Sequence, residues 1–441
     1  MVESIQAAKQ ELLRRALRLA VDYRQPRVAA RVLAWCSERA EGPDTGGRIL
    51  VLNSTKDGIA ADAEESLGSH FSIIRWPAYL VKMCARSFLA ARLDDPYLYL
   101  RKDPDTEISK RELRDFLKVT WSHFRKHLPV DAVITANFGF RWEQEFAAAL
   151  EASGTPFIVI QKENLNGITP ARWAYWETVY KRRGRFAGRK ILTYNDLERR
   201  LEISSGVIAP ERVSVTGMPR LDRMHAWRKE HAGEQAGPDN SVLFFSFDRR
   251  DKIAPGPEFA HLSWGNFCEE THRAIFSLAR ARPDLHVVMK TKSQTQQYLD
   301  IMQVIDVLGP VPPNLRILSG GDPVQLIKEA RIVVGFNTTA NLESLAAGKP
   351  VIVPRFGEAL DEALQPFILN LGDAVEYAES PEDLKERIED HLLRPAIIPS
   401  DLSPEVSEIL RNWVGNDDGA AAVRVLAAVR DEIGRQRKSV A

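Results

Sequence analysis

Short apolar runs alternate with longer stretches that repeat apolar residues at helical spacing, which is the pattern of βα units. It is clearest over residues 331–354, RIVVGFNTTANLESLAAGKPVIVP. Ile332, Val333 and Val334 read as a parallel strand, apolar throughout because both faces are buried. Asn337, Thr338 and Thr339 are small and polar, and suit a helix cap. Residues 340–347 predict the helix, Gly348 its C-terminal stop, and Val351, Ile352 and Val353 the next strand. Free N–H groups and the positive dipole end at such a helix start attract phosphate. Glu343 lies one turn in, where a carboxylate can accept hydrogen bonds from a ribose diol. The plainer reading is a polar loop and a solvated Glu343. The density of small hydroxylated residues favours a nucleotide site at the carboxyl edge of a parallel sheet.

The same rhythm runs through the rest of the chain. Residues 5–40 predict two helices broken near Gln25 and Pro26. Strands follow at 48–53, 71–76, 132–135, 157–160, 190–193 and 213–216, with residues 78–128 mainly helical. A polar, breaker-rich stretch at 226–240 reads as a linker. The pattern then restarts with strands at 242–247, 286–289 and 315–318. Helices are expected at 266–281, from 323, at 381–393 and at 418–435. Alternating strands and helices imply parallel sheets covered on both faces. The expected fold class is α/β, two Rossmann-like βα domains with an interdomain cleft. The first spans 1–228 with a helical N-terminal extension, and the second 241–415. Residues 416–441 form a last helix that crosses back to the first.

Charge and cysteine content narrow the function. Sixty Lys and Arg balance sixty Asp and Glu among 441 residues, so no global field favours nucleic acid. No apolar run approaches the roughly 20 residues of a membrane span, and the N-terminus lacks a signal-peptide pattern. Cys36, Cys84 and Cys268 lie far apart, which fits a reducing cytoplasm and argues against a zinc site. Arg14, Arg15 and Arg18 cluster on the first helix. They read as a solvated face, or alternatively as a basic face for peripheral contact with the inner membrane.

Three segments carry a resemblance. Asn337–Thr339 and Glu343 ahead of Gly348, Lys349 and Pro350 resemble the donor-binding region of UDP-N-acetylglucosamine 2-epimerases and of bacterial capsule and surface-polysaccharide transferases, which share the GT-B architecture. VSVTGMPRLD, with Gly217, Pro219, Arg220 and Asp222, is similar to a V-T-G-x-P-R-x-D pattern that precedes their interdomain linker. RNWVGNDDGAAAVRVLAAV resembles the lead into their final helix. Two features depart from the relatives. Asn337–Thr339 stand where the epimerases carry Ser-Gly-Gly, and the His-Pro pair of many capsule transferases is missing, which weighs against polyol-phosphate transfer. The resemblance implies a cytoplasmic, metal-independent glycosyltransferase with no cofactor beyond its nucleotide-sugar donor. The acceptor would be a glycan or lipid-linked glycan, met by the first domain, in surface polysaccharide assembly. The alternatives are a nucleotide-sugar 2-epimerase or hydrolase and a non-catalytic nucleotide- or glycan-binding subunit.

Transfer with inversion needs a base for the acceptor hydroxyl and positive charge or dipoles for the departing phosphate. Glu163, at the end of FIVIQ, is the candidate base, or equally a solvated or capping carboxylate. Its rivals Glu143, Glu145 and Asp57 read as solvated or capping carboxylates. Lys290 and Lys292 follow a strand of the second domain, as does Arg249, and suit phosphate. Ser319, with Gly320 and Gly321, can supply N–H groups or merely turn the chain. Arg220 and Asp222 either bind ligand near the hinge or form an interdomain salt bridge. Trp173, Tyr175, Trp176 and Tyr180, with Lys181, Arg182 and Arg183, read as an amphipathic helix with a wet basic end. The alternative is a stacking platform beside the acceptor.

Overall fold

The computed structural model describes residues 2–39, 43, 47–52, 61–77, 79–162, 165–166, 169–254, 256–292 and 295–440. Contacts divide the chain into two units. Unit 1 is Met1–Gly167, Trp176–Arg220 and Ala420–Ala441, and unit 2 is Ile168–Tyr175 and Leu221–Gly419. Each is a Rossmann-like βα unit, so the chain is α/β with the pair of domains that a GT-B architecture comprises.

Unit 1 holds β1 (Glu38–Arg39), β2 (Arg48–Leu52), β3 (Ser72–Trp76), β4 (Ala132–Thr135), β5 (Phe157–Ile160), β6 (Lys190–Thr193) and β7 (Val213–Val215). They form one sheet in the order β1-β3-β2-β4-β5-β6-β7. β1 is antiparallel to β3, and the remaining pairs are parallel. β4 and β5 are buried at every position, which is why neither shows apolar–polar alternation. The C-terminal helix Ala421–Val440 belongs to this unit. Val425, Leu426, Val429 and Ile433 form one apolar stripe that packs with Ile49, Ile134, Ile158 and Leu192 of the sheet. At its rim Lys190 pairs with Glu432 at 3.4 Å.

Unit 2 holds β8 (Ser241–Phe245), β9 (His286–Lys290), β10 (Leu315–Leu318), β11 (Ile332–Gly335), β12 (Val351–Pro354) and β13 (Glu376–Ala378). The order is β10-β9-β8-β11-β12-β13, and every pair is parallel. The chain runs outward from β8 to β10, then returns to the other side of β8. Strand order therefore reverses between β8 and β11, and no crossover covers the carboxyl ends there.

The stretch 226–240 is not a linker. Asp222–Glu230 is a helix with Met224, His225 and Arg228 buried. Beyond it Gly233 and Ala236 donate to the carbonyls of Ile398 and Ala396, inside unit 2. Its charges and glycines mark a surface, whereas the division between units falls at Arg220. β1, β13 and the helices Thr295–Val307 and Pro404–Val414 were not expected from the pattern. Both strands are short and lack an apolar run. No described helix is long and apolar enough to cross a membrane.

The stripe of the last helix yields a test. Val429 is fully buried, so Val429→Ala should destabilise unit 1 by about 2 kcal/mol through lost apolar burial and a residual cavity. Denaturant unfolding measures this, and a change below about 0.5 kcal/mol would show that the helix does not complete the core.

Candidate functional site

The all-parallel sheet of unit 2 places the segments after β8, β9, β10 and β11 on one edge. Phe245 is paired with Gly335 on one side and Lys290 on the other, and Lys290 with Leu318. Ser246 and Thr291 therefore begin adjacent loops, and Phe336, Asn337 and Thr338 continue from β11 across the switch point.

The helix Thr339–Ala346 starts here as expected. Thr338 is its N-cap, with Oγ1 accepting from the Ala340 N–H at 3.2 Å. The cap uses a lone pair and leaves the O–H as a donor, so an incoming anion would meet the Thr338 and Thr339 hydroxyls and the Thr339 N–H. Asn337 differs from expectation. It sits at φ +51°, its Nδ2 donates to the Phe367 carbonyl at 2.9 Å, and its Oδ1 accepts from the Leu369 N–H at 2.7 Å. Its amide holds the neighbouring loop, which makes it a support for the site. Glu343 is buried one turn into the helix, so it is not a solvated residue.

The cationic candidates differ from one another. Lys290 is buried, with Nζ on the Thr291 carbonyl at 2.6 Å. Lys292 is half-exposed and pairs with Asp251 at 2.6 Å. Arg249 forms an ion pair with Glu269 on the helix Gly265–Ala281, and Ser319 is exposed in the turn after β10. The edge thus presents Lys292 with Thr338 and Thr339, and holds Ser246, Thr291 and Lys290 beneath. No group of His, Cys, Asp and Glu that could hold a metal occurs among the described residues.

Ser246 and His272 were missed in the sequence. The Ser246 hydroxyl lies 2.8 Å from His272 Nε2, and His272 Nδ1 lies 2.6 Å from the Cys268 carbonyl. A carbonyl only accepts, so Nδ1 carries the proton and Nε2 accepts from Ser246. The serine oxygen then keeps its lone pairs, which can accept from a ligand N–H or O–H. The only signal was a serine closing an apolar run, while His272 looked like any core position of an amphipathic helix. Burial pulls His272 down to about 4.

Two motif residues serve the backbone. Lys349, of Gly-Lys-Pro, is buried with Nζ donating to the carbonyls of Ala236, Lys328 and Ala330. Arg220 bonds Asp62 at 3.2 Å and Tyr194 at 2.9 Å, so its ion pair lies inside unit 1 and is not interdomain. Gly217, at φ +84°, makes the turn ahead of it. Asp222 accepts from Asn416 Nδ2 at 2.7 Å within unit 2. The T-G-x-P-R-x-D and Asp-Gly motifs thus flank two of the points where the chain changes units, at Arg220 and at Gly419.

In unit 1, Glu163 and Asp57 lie outside the described residues. Glu145 is buried against Arg114 at 2.7 Å, and burial raises its carboxyl. Glu143 is buried as well, so neither rival is a solvated carboxylate. After β5, Asn166 donates to the Tyr180 hydroxyl at 2.9 Å, and Tyr180 donates to Glu198. Tyr180 is therefore core. The helix Pro170–Arg183 begins in unit 2, where Tyr175 packs on Phe259 at 6.0 Å and Phe259 on Phe367 at 5.0 Å.

A surface cavity of about 530 Å³ opens at the opposite edge of the unit 2 sheet, beside Val351 and Glu376. Asp373, Glu376 and Asp401 line it with Lys349 and His391, and Glu376 pairs with Arg387 at 3.5 Å.

No family model matches the chain, and no curated protein does. Solved structures of similar fold include a UDP-GlcNAc 2-epimerase from Neisseria meningitidis bound to UDP-GlcNAc, at 13% identity and TM-score 0.47, covering 87% of this chain and 100% of that one. A putative UDP-N-acetylglucosamine 2-epimerase from Listeria monocytogenes aligns at 12% identity and TM-score 0.46, covering 87% and 96%. A variant of the wall teichoic acid polymerase TagF aligns at 9% identity and TM-score 0.49, covering 99% and 98%. The chain resembles epimerases and a polymerase alike.

The neutral His272 has a measurable consequence. Its unfolded imidazole titrates near 6.5 and the folded one near 4. The folded state therefore binds fewer protons between these values. The contribution is full above about 6.5 and is lost as pH falls toward 4. The stability gap between the protein and His272→Gln should shrink by on the order of 2 kcal/mol from pH 7.5 to pH 5 in denaturant titrations. A constant gap would contradict a buried neutral imidazole.

Proposed function

We propose that the protein is a glycosyltransferase that takes a nucleotide-sugar donor at the carboxyl edge of unit 2 and transfers the sugar to a glycan or lipid-linked glycan hydroxyl. The observation that carries this reading is the convergence at the β8/β11 switch point. Hydroxylated residues from adjacent strand ends and a capped helix start share one edge, and Glu343 is buried one turn into that helix. The Thr339 N–H, the dipole of its helix and Lys292 suit the diphosphate. Glu343 suits the ribose diol, and Ser246 accepts from a ligand donor group.

In the reaction a base removes the acceptor proton as the acceptor oxygen attacks the anomeric carbon. The bond to the diphosphate oxygen breaks, and the nucleotide leaves with that electron pair. Glu163, on the resemblance to capsule transferases, is assigned the base. The helix N–H groups and Lys292 take up charge developing on the leaving phosphate.

Binding and turnover separate the parts of this reading. UDP and UDP-GlcNAc should raise the melting temperature of the full chain. Thr339→Val and Glu343→Gln should each weaken UDP binding about tenfold, the scale of one lost charge-assisted hydrogen bond. Glu163→Gln should leave UDP binding unchanged and abolish turnover. Unchanged UDP affinity in both unit 2 variants would move the nucleotide elsewhere. Conversion of UDP-GlcNAc to its 2-epimer without any acceptor would replace transfer by epimerisation.

A further inference from the structure

The first two helices of unit 1 carry apolar side chains on their outer faces. Along Val2–Asp22, Leu17, Ala20 and Val21 are buried, while Leu12, Leu19 and, just past the end, Tyr23 fall on the opposite side. Along Pro26–Cys36, Ala29, Ala30, Val32 and Leu33 are buried, and Val28 and Trp35 face outward. These five outward side chains are between 49% and 72% exposed. The two helices pack against each other.

The charge around them is one-sided. Residues 8–36 hold seven Lys or Arg against Glu11 and Asp22, a net of five positive charges in a chain whose net charge is zero. Arg14 and Arg24 are committed to the faces of Tyr79 and Phe88, at 4.2 and 3.6 Å. Arg15 pairs with Glu11 at 3.0 Å and Arg18 with Asp22 at 3.8 Å, all exposed and weak. Arg27 and Arg31, beside Val28 and Trp35, form no ion pair among the described residues.

A solvated helix needs the arginines but not the leucines, and a nucleic acid would be met by the charges alone. Leu, Tyr and Trp exposed between arginines match a helix lying in the headgroup layer of an anionic bilayer. There the aromatic rings sit at the interface and the guanidinium groups meet phosphate. We propose that the outer face of these two helices docks unit 1 on an anionic phospholipid surface. This surface is separate from the nucleotide edge and does not depend on the donor reading.

Vesicle flotation of the full chain, without nucleotide, tests the surface. Binding to phosphatidylcholine vesicles containing phosphatidylglycerol should be at least about tenfold tighter than to phosphatidylcholine alone, and should weaken at least about tenfold between about 0.1 M and 1 M salt. The pair Leu19→Gln and Trp35→Gln should lose at least about tenfold in that binding, with melting temperature unchanged. The pair Arg27→Glu and Arg31→Glu should remove the preference for anionic vesicles. Equal binding to both vesicle types, or none, would overturn the proposal. So would a concentration-dependent dimer that Leu19→Gln and Trp35→Gln abolish, because the stripe would then belong to a second copy.

Discussion

The constraint on which unit 2 depends is the reversal of parallel strand order at β8. A parallel crossover must carry the chain over a face of the sheet, and successive crossovers cover the strand ends they leave. Between β8 and β11 the crossovers depart in opposite directions, and the carboxyl ends there stay open. Ser246 and Thr338 flank that opening because of strand order. The polar loops and the helix start follow from the same topology.

Once the edge is open, polar side chains divide between holding backbone and facing the opening. Lys349 gathers three carbonyls, Asn337 holds the loop at Phe367 and Leu369, and Arg331 donates to the last carbonyls of the helix Pro381–Leu393. Each buried carbonyl left without a donor would cost about 1–3 kcal/mol, so these side chains are fixed by the fold. Thr339, Lys292 and Ser246 carry less of that duty. A motif shared with nucleotide-sugar enzymes therefore mixes residues that shape a loop with residues that face a ligand, and sequence spacing alone does not separate them.

Most strands were legible because both faces are buried and the apolar runs are unbroken. The Thr338 cap and the helix after it were legible because local chemistry decides them. What was not legible depends on distant partners. The roles of Lys349 and Asn337 are set by carbonyls in other loops. His272 acquires meaning only when the helix Gly265–Ala281 lays it against Ser246. Arg220 and Asp222 had equal claims as ligand or salt-bridge residues until Asp62 and Asn416 appeared beside them. The stretch 226–240 misled because its charged and breaker residues are equally those of a surface helix and an edge turn.

The most direct measurement is a crystal structure of the full chain soaked with UDP. Diphosphate density is expected against the Thr339 N–H at the start of its helix, with the ribose within hydrogen-bond distance of Glu343. Density in the cavity beside Glu376, or in unit 1 with the β8/β11 edge empty, would contradict it.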